Sequence, residues 1–204
     1  MDRIDVRRLT PALLPDFLTF FDHDAFADNR DWAGCYCVFY HASDADWAFG
    51  GEGNDPATTA LRVGRHREVA QELIGDGGMS GFLAYAGGKV AGWCNAGPRD
   101  LYQNPRTYGR ARDNTPRVGA IMCFVVAQPF RRSGVASALV DGVVQAFAAD
   151  GLDFVEAYPS LKPGGPTEAG GLYHGPMELY VRAGFERVRD EGGFAVMRKR
   201  LRPS

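Results

Sequence analysis

The stretch CFVVAQPFRRSGVASALVDGV, Cys123 to Val143, gathers residues that can act together on a charged ligand. An apolar run stops at Pro129. Two arginines, a serine and a glycine follow, and a helical pattern begins at once. Where a strand gives way to a helix, the first backbone N–H groups of the helix lack partners and the helix dipole favours an anion. Gly134 has no side chain, so the backbone there can approach a bulky ligand. Ala136 is the next smallest choice. Ser133 is placed to cap the helix, and Arg131 and Arg132 add mobile positive charge. These residues predict a phosphate cradle.

Two common cradles do not fit. A nucleotide-hydrolysing loop needs GxxxxGK[ST], with a lysine and a magnesium-holding hydroxyl, whereas Gly134 is followed by valine and alanine. The dinucleotide pattern GxGxxG is absent from this turn. The run GDGGMSG from Gly75 comes near it, but Ser80 stands at the third glycine position and the run ends a helix instead of starting one.

The elements that must position this turn are legible around it. Asp5 and its neighbours in IDVRRL, Ile4 to Leu9, alternate as a strand does. Pro11 to Phe26 reads as a helix opened by proline in its first turn. Cys35 to His41 is aromatic and apolar, a short strand or a buried connection. Ala57 to Ile74 has helical spacing. Gly87 and Gly88 stand between two alternating runs, where a type I′ turn needs positive φ at both central residues. Pro98 to Pro116 is a long polar loop, and loops of that length in a compact domain are usually functional. A strand at about 118–127, a helix at about 133–150 and a strand at about 153–158 follow. Val135, Leu139, Val143 and Phe147 recur at spacing four and give that helix a buried face. Strand, helix and strand so close together imply a parallel pair with a right-handed crossover. Pro176 to Ala183 reads as a short helix, and Glu191-Gly192-Gly193 as the tip of a closing hairpin. The fold class is α/β, in one domain spanning 1–204.

The totals agree with that picture. The chain has 204 residues, 45% hydrophobic and 24% charged, with net charge -2, so no overall basic field argues for nucleic acid or an anionic membrane. No apolar stretch reaches the 18 residues a membrane span needs, and the amino terminus MDRIDVRRLT lacks the apolar core of a signal peptide. The expectation is a cytoplasmic protein. Cys35 and Cys37 form one close pair while Cys94 and Cys123 are distant singles. Zinc sites usually show two close pairs, so these cysteines are expected to be reduced small hydrophobes, with no metal.

RRSGVA, Arg131 to Ala136, resembles the Arg/Gln-x-x-Gly-x-Gly/Ala signature of the GNAT acetyltransferase superfamily. LYVRAGF, Leu179 to Phe185, is similar to that family's LYxxxGF element. The order of hairpin, long connection, β-α-β unit, short helix and final hairpin also resembles the family, from about Ile4 to Arg200. The resemblance implies a mixed twisted sheet with helices on both faces and a central β-α-β unit that binds coenzyme A. It implies acetyl transfer from acetyl-CoA to an amine by direct attack. The pantetheine amides would pair with the backbone of Phe124, Val125 and Val126. The diphosphate would lie on Arg131, Arg132, Ser133, Gly134, Val135 and Ala136. Tyr180 matches the tyrosine that protonates the departing thiolate in many members.

The chain also departs from the family. Many members carry a glutamate on the strand before the loop, and VGAIMCFVV has no carboxylate. Glu156, on the adjoining strand, is the nearest substitute as the base. Where the family often has asparagine at the start of the last helix, this chain has Tyr173. His174 beside it is expected to be solvent-facing or structural. A different function class, a sensor that binds acetyl-CoA without turnover, is compatible with the missing glutamate. The acceptor amine is not readable from these residues. Homodimers are common in the superfamily, and nothing in the chain decides that point.

Overall fold

The computed structural model describes residues 3–29, 32–48, 55–102, 114–161 and 173–202. The middle of the loop from Pro98 to Pro116, with Tyr108, lies outside them, as does most of the loop after Leu161.

One seven-stranded sheet organises the chain. Its strands are β1 (Asp5–Arg8), β2 (Gly81–Ala86), β3 (Lys89–Pro98), β4 (Val118–Val126), β5 (Phe154–Ala157), β6 (Glu186–Glu191) and β7 (Phe194–Arg200), in the spatial order β1-β2-β3-β4-β5-β7-β6. Only β4 and β5 run parallel; the other neighbours are antiparallel. The helices are α1 (Leu14–Thr19), α2 (Asp44–Trp47), α3 (Pro56–Gly75), α4 (Val135–Ala149) and α5 (Met177–Arg182).

Local chemistry accounts for most of these boundaries. Asp55 caps α3, its side chain accepting from the backbone N–H groups of Ala57 and Thr58, and Pro56 fills the first helical position. Gly87 and Gly88 take φ of 57° and 79°, the conformation expected of a type I′ turn between β2 and β3. Gly192 and Gly193 serve in the same way between β6 and β7. Strand alternation then feeds two cores. Phe82 and Ala84 pack with Val135, Leu139, Val143 and Phe147 of α4 on one face. Leu83, Tyr85 and Trp93 pack with Phe17 of α1 and Val69 of α3 on the other.

Two local expectations are corrected and one open alternative is settled. Pro11 to Phe26 is not one helix. It is a 3-10 turn at Pro11–Leu13, then α1, then a π turn at Phe20–Asp24. The wider turn goes with burial of Phe17 and Phe21 against Trp93, and of Phe20 against Phe21. Cys35 to His41 is the buried connection and not the strand, with a 3-10 turn at Val38–Tyr40. Ser133 does not cap α4. Gly134 holds the cap position with φ of 91°, and the Ser133 hydroxyl turns back to donate to the Phe130 carbonyl at 2.5 Å.

The feature that matters for function is a length mismatch. β4 has nine residues and β5 only four, with the last register pair at Ile121 and Ala157. Beyond it, Pro159 has no N–H to offer a ladder. The chain leaves β4 and continues toward β7, where Ala195 donates to the Pro159 carbonyl at 2.9 Å. A bulge where β3 meets β4 falls at the same level: Asn95 pairs with Cys123 while Ala96 pairs with Ile121. Such an extra residue bends its strand locally. One edge of β4 therefore has no strand neighbour from Met122 to Val126, and loop groups cover it instead.

Candidate functional site

This edge of β4 borders a cavity of about 1470 Å³. Cys123, Phe124, Val125 and Val126 form one side, and Phe130, Arg131, Arg132 and Gly134 to Ser137 form the end. The opposite wall is aromatic, with Phe21, Phe26, Trp32, Phe39, Tyr40 and Trp47. Of the expected ligand-binding residues, Phe124, Val125, Val126, Arg131, Arg132, Gly134, Val135 and Ala136 come together here. Ser133 lies in the same turn but is not among the lining residues.

The end of the cavity is the amino terminus of α4. α4 begins at Val135, and its first ladder bond runs from the Ala138 N–H to the Gly134 carbonyl. The N–H groups of Val135, Ala136 and Ser137 are thus left without intrahelical partners. A Cβ added to Gly134 would meet nothing within 4 Å. Its glycine is needed for the left-handed backbone and not for packing. Arg132 is also left-handed, with φ of 61°. Arg131 is less mobile than its position in a loop suggests. Its guanidinium grips Asp28 with two bonds of 2.5 and 2.9 Å, and its Nε donates to the Val126 carbonyl at 3.0 Å. The same pairing holds the Asp28 carboxyl below the usual range. Sequence reading missed Asp28 because it lies 103 residues from its partner.

On this strand edge, a loop stands in for the absent strand. The Phe124 N–H donates to the Tyr173 carbonyl at 2.6 Å. His174 Nδ1 lies 2.8 Å from the Met122 carbonyl, and burial lowers the His174 pKa to about 4. The ring is therefore neutral at pH 7 and donates from Nδ1. His174 is buried, so of the two expected alternatives the solvent-facing one fails and the structural one stands. The Tyr173 ring lines the cavity and leans on Trp32 with centroids 5.4 Å apart.

Tyr180 and Glu156 do not line the cavity. Tyr180 is fully buried, and its hydroxyl donates to the His174 carbonyl at 2.5 Å. Burial pushes its pKa well above the ordinary value. A Cβ added to Gly175, which does line the cavity, would lie 3.2 Å from that hydroxyl, so Tyr180 stands just behind the wall. Glu156 is fully buried inside a cage of cations. Arg198 reaches one carboxylate oxygen at 2.5 and 2.9 Å, Arg99 reaches the other at 3.2 Å, and the Tyr158 hydroxyl donates to it at 2.9 Å. Among the described residues no cluster of three or more histidine, cysteine, aspartate or glutamate side chains suits a metal ion. No described helix is long and apolar enough to cross a membrane.

These features can be set beside known proteins. No curated protein sequence matches the chain. The structure is similar to PaiA N-acetyltransferase from Thermoplasma acidophilum in complex with coenzyme A, at 10% identity and a TM-score of 0.51, covering 97% of this chain and 99% of that one. It is similar to a GNAT-family acetyltransferase from Desulfovibrio desulfuricans, at 17% identity and 0.53, covering 98% and 100%. It is also similar to aminoglycoside acetyltransferase AAC(6')-Ib in complex with coenzyme A, at 14% and 0.54, covering 97% and 95%. At such identities the likeness is one of fold. The sequence itself carries the family: the profile of the acetyltransferase (GNAT) family matches residues 55–162, more than half of the chain. With its seven-stranded mixed sheet, the β4 edge that β5 leaves and glycine-capped α4, the chain belongs to the GNAT family of acetyltransferases.

Proposed function

We propose that this protein transfers an acetyl group from acetyl-CoA to the primary amine of a small molecule or peptide by direct attack. The observation that carries the reading is the edge of β4 that β5 leaves, covered only by the Tyr173–His174 loop, lying in one cavity with the N–H groups of α4 that have no intrahelical partner. The strand edge suits the pantetheine amides by strand addition, and the helix end with Arg132 suits the diphosphate. A helix terminus alone contributes about 0.3–2 kcal/mol, while micromolar affinity needs about 8 kcal/mol. Both halves of the site are therefore required. In the reaction, the amine nitrogen attacks the thioester carbonyl, and an N–H of β4 stabilises the oxygen as it gains charge. The C–S bond then breaks and the thiolate takes a proton. Tyr180, kept fully protonated by burial, is the donor this reading assigns, reaching past Gly175. Glu156 serves in this reading as an anchor for Arg99 and Arg198 and not as the base.

Calorimetric titration of acetyl-CoA into the wild type and Gly134→Glu tests the coenzyme site. Binding that disappears in the variant, with the fold intact by circular dichroism, is the expected result. No binding by the wild type would sink the proposal. An amine panel of 2-phenylethylamine, spermidine, kanamycin and an alanine-initiated peptide then tests transfer. Tight binding with no turnover on any amine would favour the acetyl-CoA sensor instead.

A further inference from the structure

The cavity exceeds what one ligand needs. Small-molecule and cofactor sites run to about 300–1,000 Å³, against about 1470 Å³ here. Its walls also come from both faces of the sheet. Val135 belongs to the core on the α4 face, while Phe39, Trp47 and Val63 pack against the core on the α1 and α3 face. Alternation along β4 matches this division: Phe124 packs on the α4 face, Cys123 and Val125 pack on the other, and all three line the cavity. A thioester held along β4 is thus reachable from the side away from α4. We propose that the lobe on the α3 face is the acceptor site, and that it takes a primary amine carrying a single charge and an aromatic body; this rests on the acetyl-transfer reading above.

The lobe is aromatic and held in place. Phe39, in the 3-10 turn at Val38–Tyr40, stands edge-on to Trp47 of α2, with centroids 4.9 Å apart. The Trp47 ring stacks on His66 of α3 at 4.8 Å and 9°. His66 Nδ1 lies 3.0 Å from the Gly34 carbonyl and Nε2 lies 3.2 Å from the Trp47 carbonyl. One buried ring therefore ties both ends of this wall to α3. Phe39, Trp47 and Val63 nonetheless stay half-buried. They leave apolar surface inside a concavity, and a flat apolar body that covers it gains in proportion to the area removed from water. Aromatic rings add the preference for edge-to-face and offset contacts.

Charge selects against the other amine classes. Arg62, Arg131, Arg132 and Arg182 are among the described lining residues, and no aspartate or glutamate is. A polyamine or an aminoglycoside carries several ammonium groups, which would enter with no described carboxylate to meet them, at the cost of their hydration. A single amine on an apolar body fares differently. Apolar surroundings and nearby positive charge both favour its free base, which is the form that attacks.

Calorimetric titration of amines into the protein saturated with coenzyme A reads the site without turnover. 2-Phenylethylamine should bind at least about 10-fold more tightly than ethylamine, which has the same charge and no ring, and than spermidine. Initial rates with acetyl-CoA should rank in the same order, with kcat/KM for 2-phenylethylamine about 10–10²-fold above that for ethylamine, spermidine or kanamycin. Val63→Asp places a carboxylate in the lobe. It should leave acetyl-CoA affinity unchanged and shift the preference toward spermidine by about 10-fold. Ethylamine, spermidine or kanamycin matching 2-phenylethylamine overturns the proposal, and so does a preference that a folded Val63→Asp leaves unmoved. The wild-type ranking decides the matter alone where that variant does not fold. Failure of acetyl-CoA to bind is a separate result against the acetyl-transfer reading. The same titration into the free protein then decides the lobe: preference for the aromatic amine supports the site, and equal binding overturns it.

Discussion

The carbonyl oxygen of Tyr173 lies 2.6 Å from the amide nitrogen of Phe124, on the edge of β4 that β5 has left. That contact satisfies a backbone donor which would otherwise face the cavity. It also occupies the group that strand addition by pantetheine would use. Coenzyme binding should therefore displace Tyr173. Trp32 leans on the Tyr173 ring, so its emission reports the displacement. Saturating acetyl-CoA should change the fluorescence of the wild type and leave most of that change absent in Trp32→Phe. An unchanged spectrum in the wild type, with binding confirmed by calorimetry, would show that the contact survives.

Glu156 joins three strands' worth of structure through Arg198 of β7, Arg99 at the end of β3 and its own β5. Removing one partner from a buried ion cluster leaves the others uncompensated, at about 3–5 kcal/mol. Glu156→Ala should lose stability of that order in urea denaturation. If Glu156 were instead a base with slack surroundings, the variant would lose activity while its midpoint stayed near that of the wild type.

Two histidines, His174 buried and His41 half-buried, set an acid limit on stability. His41 and His174 are each lowered to about 4 by burial, against about 6.5 in the unfolded chain. The unfolded state binds more protons between these values, so stability falls as pH drops from about 6.5 toward 4. Each histidine should cost roughly 2 kcal/mol between pH 7 and pH 5. Denaturation at the two pH values measures the sum, and His174→Phe should show a smaller pH dependence.

Tyr180 separates packing from chemistry. Its hydroxyl satisfies the His174 carbonyl, so Tyr180→Phe should lower stability by about 1–3 kcal/mol through the orphaned acceptor. As a proton donor it should also contribute about 10²-fold to kcat, with acetyl-CoA affinity unchanged. A stability loss with kcat preserved would leave Tyr180 as a core residue only.

The strands, the two glycine turns, the long helix after Gly134 and the parallel β4–β5 pair were readable from residues close together in the chain. A glycine pair, a proline or an apolar period acts on its own backbone within a few residues, so the sequence carries that information locally. The glycine at the start of α4 was legible for the same reason, and Pro159 already contains the reason β5 leaves β4. Tertiary structure decided which side chains meet. Asp28 reaches Arg131 across 103 residues, and Arg99 reaches Glu156 across 57. Such partners are chosen by topology and burial, and no local spacing records them. Glu156 was read as the candidate base because it is the nearest carboxylate on the adjoining strand. The fold surrounds it with the guanidinium groups of Arg99 and Arg198.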